Sequence, residues 1–359
     1  MTLAERLLAR MARPQTTVDF TGARCLRRRF IRSACDRCAR ECRPQALYPG
    51  EGEVRLDSRR CTGCLACTAA CPTEALSGRD SRLAKAPQRI LARRGQTIIC
   101  CEKSLRHGTE IILPCLGALS REHLAAYALL TGGLILLLAP CRDCHSPWIP
   151  DILQSRVDEL HQCWQGLADQ PPVRLHLEAE PPELSPAAAG ESAGHDPANG
   201  IGSGGDSPGP EEQATPGRRD FFRAFREISV HAAAETWTTL RDDGEEKEEQ
   251  WASTKHEPLR IKLLQKAGEQ APGRTALVAP LLWELKISPE CTFCGACIGL
   301  CPSGAISGDR ELDRLYFDPY LCGGCGLCQE FCPARAVEIV SGWPQDAPEA
   351  GKKHLIRQR

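Results

Sequence analysis

The 359-residue chain has few aromatic side chains, only two methionines and no long apolar run. Aromatic residues make up 5% of it, although 42% is hydrophobic and 25% is charged, so its cores are lean. The best apolar run, residues 134–139, is far shorter than the roughly 18 residues of a membrane span. The N-terminus alternates charge with leucine and lacks a secretory apolar core. These absences exclude a membrane channel and a secreted disulfide-rich protein, and they predict a cytoplasmic location without a transmembrane segment.

The sequence fingerprints of common enzymes are also missing. No glycine-rich G-x-G-x-x-G segment follows a strand-like run, so we expect no flavin or nicotinamide site. We find no defensible Ser-His-Asp or paired-carboxylate arrangement, and we predict no catalytic residue. The chain is therefore more typical of a component of an oxidoreductase than of a stand-alone enzyme.

What the chain has in abundance is cysteine, with 22 residues of this type. Without an export signal, cysteines at this density indicate metal binding rather than a disulfide framework. Two dense blocks, residues 25–71 and 291–332, bracket a sparser set between residues 100 and 144.

The dense blocks contain an internal repeat. Three copies follow C-x2-C-x2-C-x3-C-P-x-x-A and then an aliphatic residue: CTGCLACTAACPTEAL (61–76), CTFCGACIGLCPSGAI (291–306) and CGGCGLCQEFCPARAV (322–337). A fourth copy, CDRCARECRPQAL (35–47), is degraded. Its proline is displaced by one place, Arg32 occupies the position of the first cysteine, and Cys25 is the only spare thiol nearby.

This spacing predicts iron–sulfur clusters. Three cysteines at three-residue steps wrap one [4Fe–4S] cluster, while the fourth ligates the partner cluster and the following proline ends the turn. The C-terminal block therefore predicts two clusters, held by Cys291, Cys294, Cys297 and Cys332 and by Cys322, Cys325, Cys328 and Cys301. Zinc is a much poorer explanation, because zinc sites separate two C-x2-C pairs by a longer loop.

The N-terminal block predicts two more clusters, held by Cys61, Cys64, Cys67 and Cys42 and by Cys35, Cys38, Cys71 and Cys25. The step from Cys25 to Cys35 is unusually long. If Cys25 cannot reach, the site could hold a [3Fe–4S] cluster, use a ligand other than cysteine, or stay empty. Both blocks resemble the bacterial two-cluster (2[4Fe–4S]) ferredoxins, and the C-terminal block lacks none of the motif residues.

The first hundred residues carry 19 Arg and one Lys against nine acidic residues, a net charge near +11. Each oxidised [4Fe–4S] core with four thiolates carries about −2, so bound clusters make the protein more acidic than its formal −1. We interpret the arginines as compensation that raises the cluster potentials. Residues 27–29 could contact phosphate, but nucleic acid is an unlikely partner.

The middle region predicts a parallel α/β unit. Residues 97–100, 110–113 and 134–139 read as buried strands, and residues 120–130 read as a helix capped by Ser120. A right-handed crossover makes these strands parallel. Cysteines fall at their carboxyl ends, the edge at which open α/β sheets place ligands. These are Cys100 or Cys101, with Cys115, Cys141 and Cys144, and together they could hold a [2Fe–2S] cluster.

The CRDCH ending at residues 141–145 loosely resembles the delta subunit of methyl-viologen-reducing hydrogenases, over residues 96–177. The resemblance implies a [2Fe–2S] cluster on Cys101, Cys115, Cys141 and Cys144 and electron transfer between subunits. Two alternatives stay open: a redox-active disulfide between Cys141 and Cys144, or plain structural thiols.

The sequence thus predicts an α+β multi-domain protein with two ferredoxin-like dicluster modules flanking a small parallel α/β domain. The expected order is a ferredoxin-like domain (1–95), an α/β domain (96–177), a disordered Pro/Gly/Ser linker (178–217), an amphipathic helix with a charged segment (218–280), a ferredoxin domain (281–345) and a tail (346–359).

We interpret the protein as a relay of single electrons through several [4Fe–4S] clusters. Its expected partners are redox proteins such as hydrogenase, formate dehydrogenase or heterodisulfide reductase subunits. Two alternatives are a reductase subunit that acts on disulfides through Cys141 and Cys144, and an iron–sulfur redox sensor that binds nucleic acid.

Overall fold

A computed structural model describes residues 17–93, 95–104, 110–167, 173–176, 255–270, 275–309, 313–344 and 352–358. These ranges form a mixed helix and strand structure with several small sheets, all within one compact unit. The predicted linker (178–217) and the predicted amphipathic helix (218–230) lie outside the described residues. Within these ranges, none of the helices is long and apolar enough to cross a membrane.

The N-terminal module, residues 17–78, consists of short strands and short helices. Its elements are β1 (Val18–Phe20), α1 (Leu26–Arg29), α2 (Arg37–Arg40), β2 (Leu47–Gly50), β3 (Glu53–Leu56), α3 (Ala66–Ala70) and β4 (Leu76–Gly78). β1 pairs antiparallel with β4, and β2 pairs antiparallel with β3. The helices are only four or five residues long, and α2 and α3 each occupy part of a cysteine repeat.

The middle region begins with α4 (Ser81–Leu91), whose N-cap Asp80 accepts a hydrogen bond from the Arg82 amide. Then follow β5 (Thr97–Cys101), β6 (Ile111–Leu113), α5 (Arg121–Thr131), β7 (Leu134–Leu137), α6 (Ile149–Cys163) and β8 (Val173–His176). The strands form a fully parallel sheet in the order β6-β5-β7-β8. β5 and β7 are buried along their whole length, as expected for a parallel sheet covered on both faces.

The structure confirms the three predicted strands and their parallel direction. It also confirms the Ser120 cap, where the Ser120 hydroxyl accepts from the His123 amide and the His123 ring accepts from the Ser120 amide. The apolar run from residue 134 ends earlier than predicted because a 3₁₀ turn occupies Ala139–Asp143. The fourth strand, β8, is an addition that the sequence did not predict.

After the undescribed residues 177–254, α7 (Leu259–Gln270) packs on α5 and buries Leu263, Leu264 and Ala267 in the core of the middle region. Arg260, in the first turn of α7, is also buried. The remaining 3₁₀ turns are Gly22–Arg24, Leu116–Ala118, Thr275–Leu277, Ala279–Leu281 and Pro319–Leu321.

The C-terminal module, residues 283–358, has the same plan as the N-terminal one. It contains β9 (Trp283–Ile287), α8 (Ala296–Leu300), β10 (Ile306–Asp309), β11 (Arg314–Phe317), α9 (Leu327–Phe331), β12 (Val337–Ser341) and β13 (His354–Gln358). β9 pairs with β12 as β1 pairs with β4, and β10 pairs with β11 as β2 pairs with β3. The segment predicted as a tail supplies β13, which adds a third strand beside β11.

Candidate metal centres

Each of the four repeat copies ends in the same turn. The residue three places after the last cysteine has a positive φ in every copy: Gln45 (51°), Glu74 (51°), Gly304 (77°) and Arg335 (51°). A left-handed conformation costs a residue other than glycine roughly 1–2 kcal/mol, so the turn is held against local strain. The alanine that follows is buried in all four copies: Ala46, Ala75, Ala305 and Ala336.

The turn directs backbone amides at sulfur. The amides of Ala46, Ala75 and Ala336 donate to the Sγ atoms of the cysteines four residues before them, at 3.2, 3.2 and 3.3 Å. Hydrogen bonds to cysteine sulfur favour thiolate ligands and tune cluster potentials. The degraded first copy has this turn in full, so its displaced proline does not change the conformation after Cys42.

The loop before this turn has a different backbone conformation in the degraded copy than in the other three copies. In the full copies the two residues that flank the second cysteine both have positive φ: Gly63 and Leu65, Phe293 and Gly295, and Gly324 and Gly326. In the degraded copy Asp36 has a φ of −134° and caps α2. Arg32 stands at the position of the first cysteine in this copy, and Cys25 lies outside the loop as the N-cap residue of α1.

The structure brings together Cys25, Cys35, Cys38 and Cys71, which we call site C, and all four line one small cavity. Burial raises the pKa of Cys38 to about 12, and the charges of Cys71, Cys35 and Cys25 act in the same direction. Cys25 is itself buried. The residue whose reach was uncertain from the sequence thus lies beside its three predicted companions.

A second set, site D, comprises Cys301, Cys322, Cys325 and Cys328, and these four line a cavity of their own. Burial raises the pKa of Cys328, and the charges of Cys325 and Cys301 add to the effect. Site D groups the same four cysteines that the repeat predicts.

Two further sets complete the ferredoxin-like modules: site B (Cys42, Cys61, Cys64 and Cys67) and site E (Cys291, Cys294, Cys297 and Cys332). In site B, burial and then the charges of neighbouring cysteines raise the pKa of Cys67. In site E, burial raises the pKa of Cys297 to about 11, with contributions from Cys291 and Cys294. Cys294 is exposed, so site E is the most accessible of the four.

The middle cysteines form site A: Cys101, Cys115, Cys141 and Cys144. They line a cavity of about 590 Å³ at the carboxyl edge of the parallel sheet, and Cys64 of site B lines the same cavity. The side chain of Cys100 instead packs in the cluster of Ile98, Ile135 and Leu137. Because side chains alternate along β5, Cys101 faces the cavity of site A and Cys100 faces the apolar cluster on the other side.

Burial and neighbouring thiols disfavour free thiolates at site A. Burial raises the pKa of Cys115 to about 12, and the charges of Cys64, Cys101 and Cys141 add to the effect. The Lys103 ammonium donates to Cys144 Sγ at 3.5 Å. Four thiols that converge in this way fit the donor set of a [2Fe–2S] cluster.

The described thiols are not grouped around the position of a single metal ion. Among the described His, Cys, Asp and Glu side chains, no group of three or more stands close enough to hold one metal ion. A [4Fe–4S] cluster places its cysteines on different irons, so its ligands do not converge on one point.

Sequence reasoning missed the buried charges that join the modules, since isolated arginines and glutamates carry no motif. Arg260 donates to the carbonyl oxygens of Ala69 and Cys71 at 2.7 and 2.6 Å. Glu74 accepts from the Leu259 amide at 2.9 Å. The start of α7 thus attaches the middle region to the last turn of a cysteine repeat.

A buried histidine in this network predicts a pH-dependent stability. Burial lowers the pKa of His123 to about 4, and the Arg260 charge also lowers it. In the unfolded chain histidine titrates near 6.5, so the unfolded form binds more protons between these values and stability falls as the pH falls through them. We expect the wild type to lose about 1 kcal/mol more than His123→Gln between about pH 7.5 and pH 5.5. Anaerobic urea unfolding measures this difference, and equal pH slopes would contradict it.

Family models match both ends of the described chain. Residues 290–336 match the 4Fe-4S dicluster domain, and residues 54–77 match the 4Fe-4S binding domain. The first match contains all cysteines of sites D and E, and the second contains Cys61, Cys64, Cys67 and Cys71. No solved structure matches the chain.

Several relatives match a part of the chain. The chain is 43% identical over 53 residues to a ferredoxin-like protein in the nif region of Rhizobium leguminosarum bv. trifolii, covering 13% of this chain and 80% of that protein. It is 40% identical over 50 residues to pyruvate synthase subunit PorD of Methanothermobacter marburgensis, covering 14% of this chain and 56% of PorD. It is 50% identical over 48 residues to polyferredoxin protein MvhB of Methanothermus fervidus, covering 13% of this chain and 11% of MvhB. With its repeated cysteine turns and its two 4Fe-4S domains, the chain belongs to the ferredoxin-like iron–sulfur proteins.

Proposed function

We propose that the chain relays single electrons through four [4Fe–4S] clusters in sites B, C, D and E and a [2Fe–2S] cluster in site A. Each cluster, when bound, supplies a one-electron redox centre whose potential depends on burial, charge and hydrogen bonds to sulfur. The protein holds neighbouring sites close together and sets their surroundings.

One observation carries this proposal: the five sites follow one another in the row A–B–C–D–E. Cys64 of site B lines the cavity of site A, and Cys38 of site C acts electrostatically on Cys67 of site B. Cys35 of site C acts on Cys325 of site D, and Cys297 of site E acts on Cys328 of site D. A continuous row supports a conductor of electrons better than it supports separate structural metal sites.

Both ends of the row are accessible, which supports separate entry and exit points for electrons. Site E has the exposed Cys294, and site A faces an open cavity. We propose redox proteins as partners at both ends, with subunits of the hydrogenase, formate dehydrogenase or heterodisulfide reductase type as candidates. Among the relatives, PorD is a subunit of pyruvate synthase, which is a role of the same kind.

The test is the amount of iron and acid-labile sulfide per chain in anaerobically purified protein, with EPR of the dithionite-reduced sample. We expect about 18 irons, and about 16 would mean that site A holds no cluster. About 14 irons, or a [3Fe–4S] signal after oxidation, would mean that Cys25 is not a ligand. Zinc in place of iron would contradict the proposed function.

A further inference from the structure

We propose that electrons cross between the N-terminal and C-terminal modules at a junction of sites C and D. The positive charge of Arg37 lies at this junction and raises the reduction potentials of both sites. The inference rests on the proposed function, since it requires clusters in both sites. It adds the route between the modules and the side chain that controls it.

The junction lies where two cysteine loops touch. Pro72 and Thr73, which follow Cys71, line both the cavity of site C and the cavity of site D. A Cβ atom added to Gly323, next to Cys322, would lie 2.6 Å from the Pro72 carbonyl oxygen. The loops therefore approach as closely as their backbones allow, and only glycine fits at this contact.

Arg37 spans the same contact. It lies in α2 between Cys35 and Cys38, and its guanidinium donates to the Gly324 carbonyl oxygen at 3.0 Å, next to Cys325. Arg37 also lines the cavity of site C together with Cys35 and Cys38. One cation thus lies beside cysteines of both modules.

Neighbouring contacts hold the junction in place. The Ser33 hydroxyl donates to Glu330 Oε2 at 2.9 Å, and the Ala34 amide donates to the other carboxylate oxygen. Phe30 and Phe331 meet edge to face, with ring centroids 5.0 Å apart. These residues flank the two cysteine loops, so the position of Arg37 is determined from both modules.

The charge of Arg37 acts where an electron adds negative charge. The step moves one electron, so that one site is oxidised as the other is reduced, with no bond made or broken. A cation beside both sites stabilises the reduced form of each and raises both potentials in parallel. Because both reduction potentials rise, the charge of Arg37 does not add to the difference in potential between sites C and D.

The experiment is an anaerobic redox titration of the full chain followed by EPR, comparing wild type with Arg37→Gln. We expect two of the cluster signals to shift to lower potential and the signal of site E to stay unchanged. Cys38→Ala and Cys328→Ala assign the shifted signals to sites C and D. Arg37→Lys, which keeps the charge, should shift both signals much less.

Arg40→Gln is the matched control. It removes the same charge from the same helix, but Arg40 is 69% exposed and pairs with Asp36. A shift in Arg37→Gln no larger than in Arg40→Gln, or a shift confined to site C, would overturn the junction. Iron is measured first in every variant.

If Arg37→Gln loses iron, Glu330→Gln tests the junction instead, because Glu330 binds Ser33 and Ala34 across the same contact. We then expect Glu330→Gln to keep its iron and to lose magnetic coupling between sites C and D in the reduced protein, and unchanged coupling would overturn the proposal. Wild-type protein without iron would contradict the proposed function itself. Iron-loaded protein that shows neither effect would contradict only the junction.

Discussion

Replacement of Cys25 by alanine is expected to produce a [3Fe–4S] EPR signal in the oxidised protein and to lower the iron content by about one atom per chain. Cys25 is 8% exposed and lines a cavity with Cys35, Cys38 and Cys71. It stands outside the repeat, so its loss leaves Cys35, Cys38 and Cys71 in place. Three thiolates hold three irons, and the fourth iron loses its protein ligand.

The control for this experiment is Cys163→Ala. Cys163 is the last residue of α6 and packs at the edge of the middle core, so its loss should change neither the iron content nor the EPR spectrum. If Cys25→Ala has the same spectrum as Cys163→Ala, Cys25 is not a ligand and site C depends on another group.

Replacement of Arg260 by methionine is expected to lower the free energy of unfolding by about 3–5 kcal/mol, because it breaks a buried charge network. Arg260 is 5% exposed and lies 3.5 Å from Glu74 and 3.9 Å from Glu122. It also donates to three carbonyl oxygens at the end of α3, those of Thr68, Ala69 and Cys71. Without it, Glu74 and Glu122 each lose a cationic neighbour, and three carbonyl oxygens lose the hydrogen bonds from the guanidinium.

Anaerobic urea unfolding measures this effect, with Lys262→Met as the control. Lys262 lies in the same helix, but its side chain is 56% exposed and pairs with Glu257, so its loss should cost less than about 1 kcal/mol. Adding Glu122→Gln to Arg260→Met is expected to restore part of the stability, because it removes a largely buried negative charge that has lost one of its two arginine neighbours. Equal stability of the Arg260 and Lys262 variants would mean that the network contributes nothing to folding.

Cys25 and Arg260 both act on the turn that contains Cys71. Cys71 contributes its thiol to site C and its carbonyl oxygen to Arg260. Burial would raise the pKa of Glu74, but the hydrogen bond with His256 and the charge of Arg260 lower it to about 2. The carboxylate therefore stays ionised, and α7 remains attached to the turn that carries Cys71.

Local patterns in the sequence were sufficient for much of this protein. The repeat predicts which cysteines share sites D and E, because the spacing within a loop of ten residues determines which thiols converge. The buried apolar runs predict β5, β6 and β7, and Ser120 predicts the start of α5. Parallel strands bring their carboxyl ends to one edge, so the sequence also predicts that Cys115, Cys141 and Cys144 meet there with either Cys100 or Cys101.

Other elements had no such signal. β8 alternates apolar and polar residues over only four positions, and it forms because β7 offers a free edge inside the protein. β13 lies in a polar tail and depends on β11 for its hydrogen bonds. For both strands the stabilising partner is distant in the chain, and composition does not reveal it.

The sequence alone determined the chemistry of the sites, because thiol ligation depends on residue type and on spacing over a few residues. The tertiary structure decided how the sites are connected. Arg37 and Gly324 are 287 residues apart in the chain, and Ser33 and Glu330 are 297 residues apart. Cys25 joins site C only because α1 folds against Cys71 and Ala75. The order of the row from site A to site E follows from packing between modules, and packing depends on the shapes of surfaces that form only when the chain has folded.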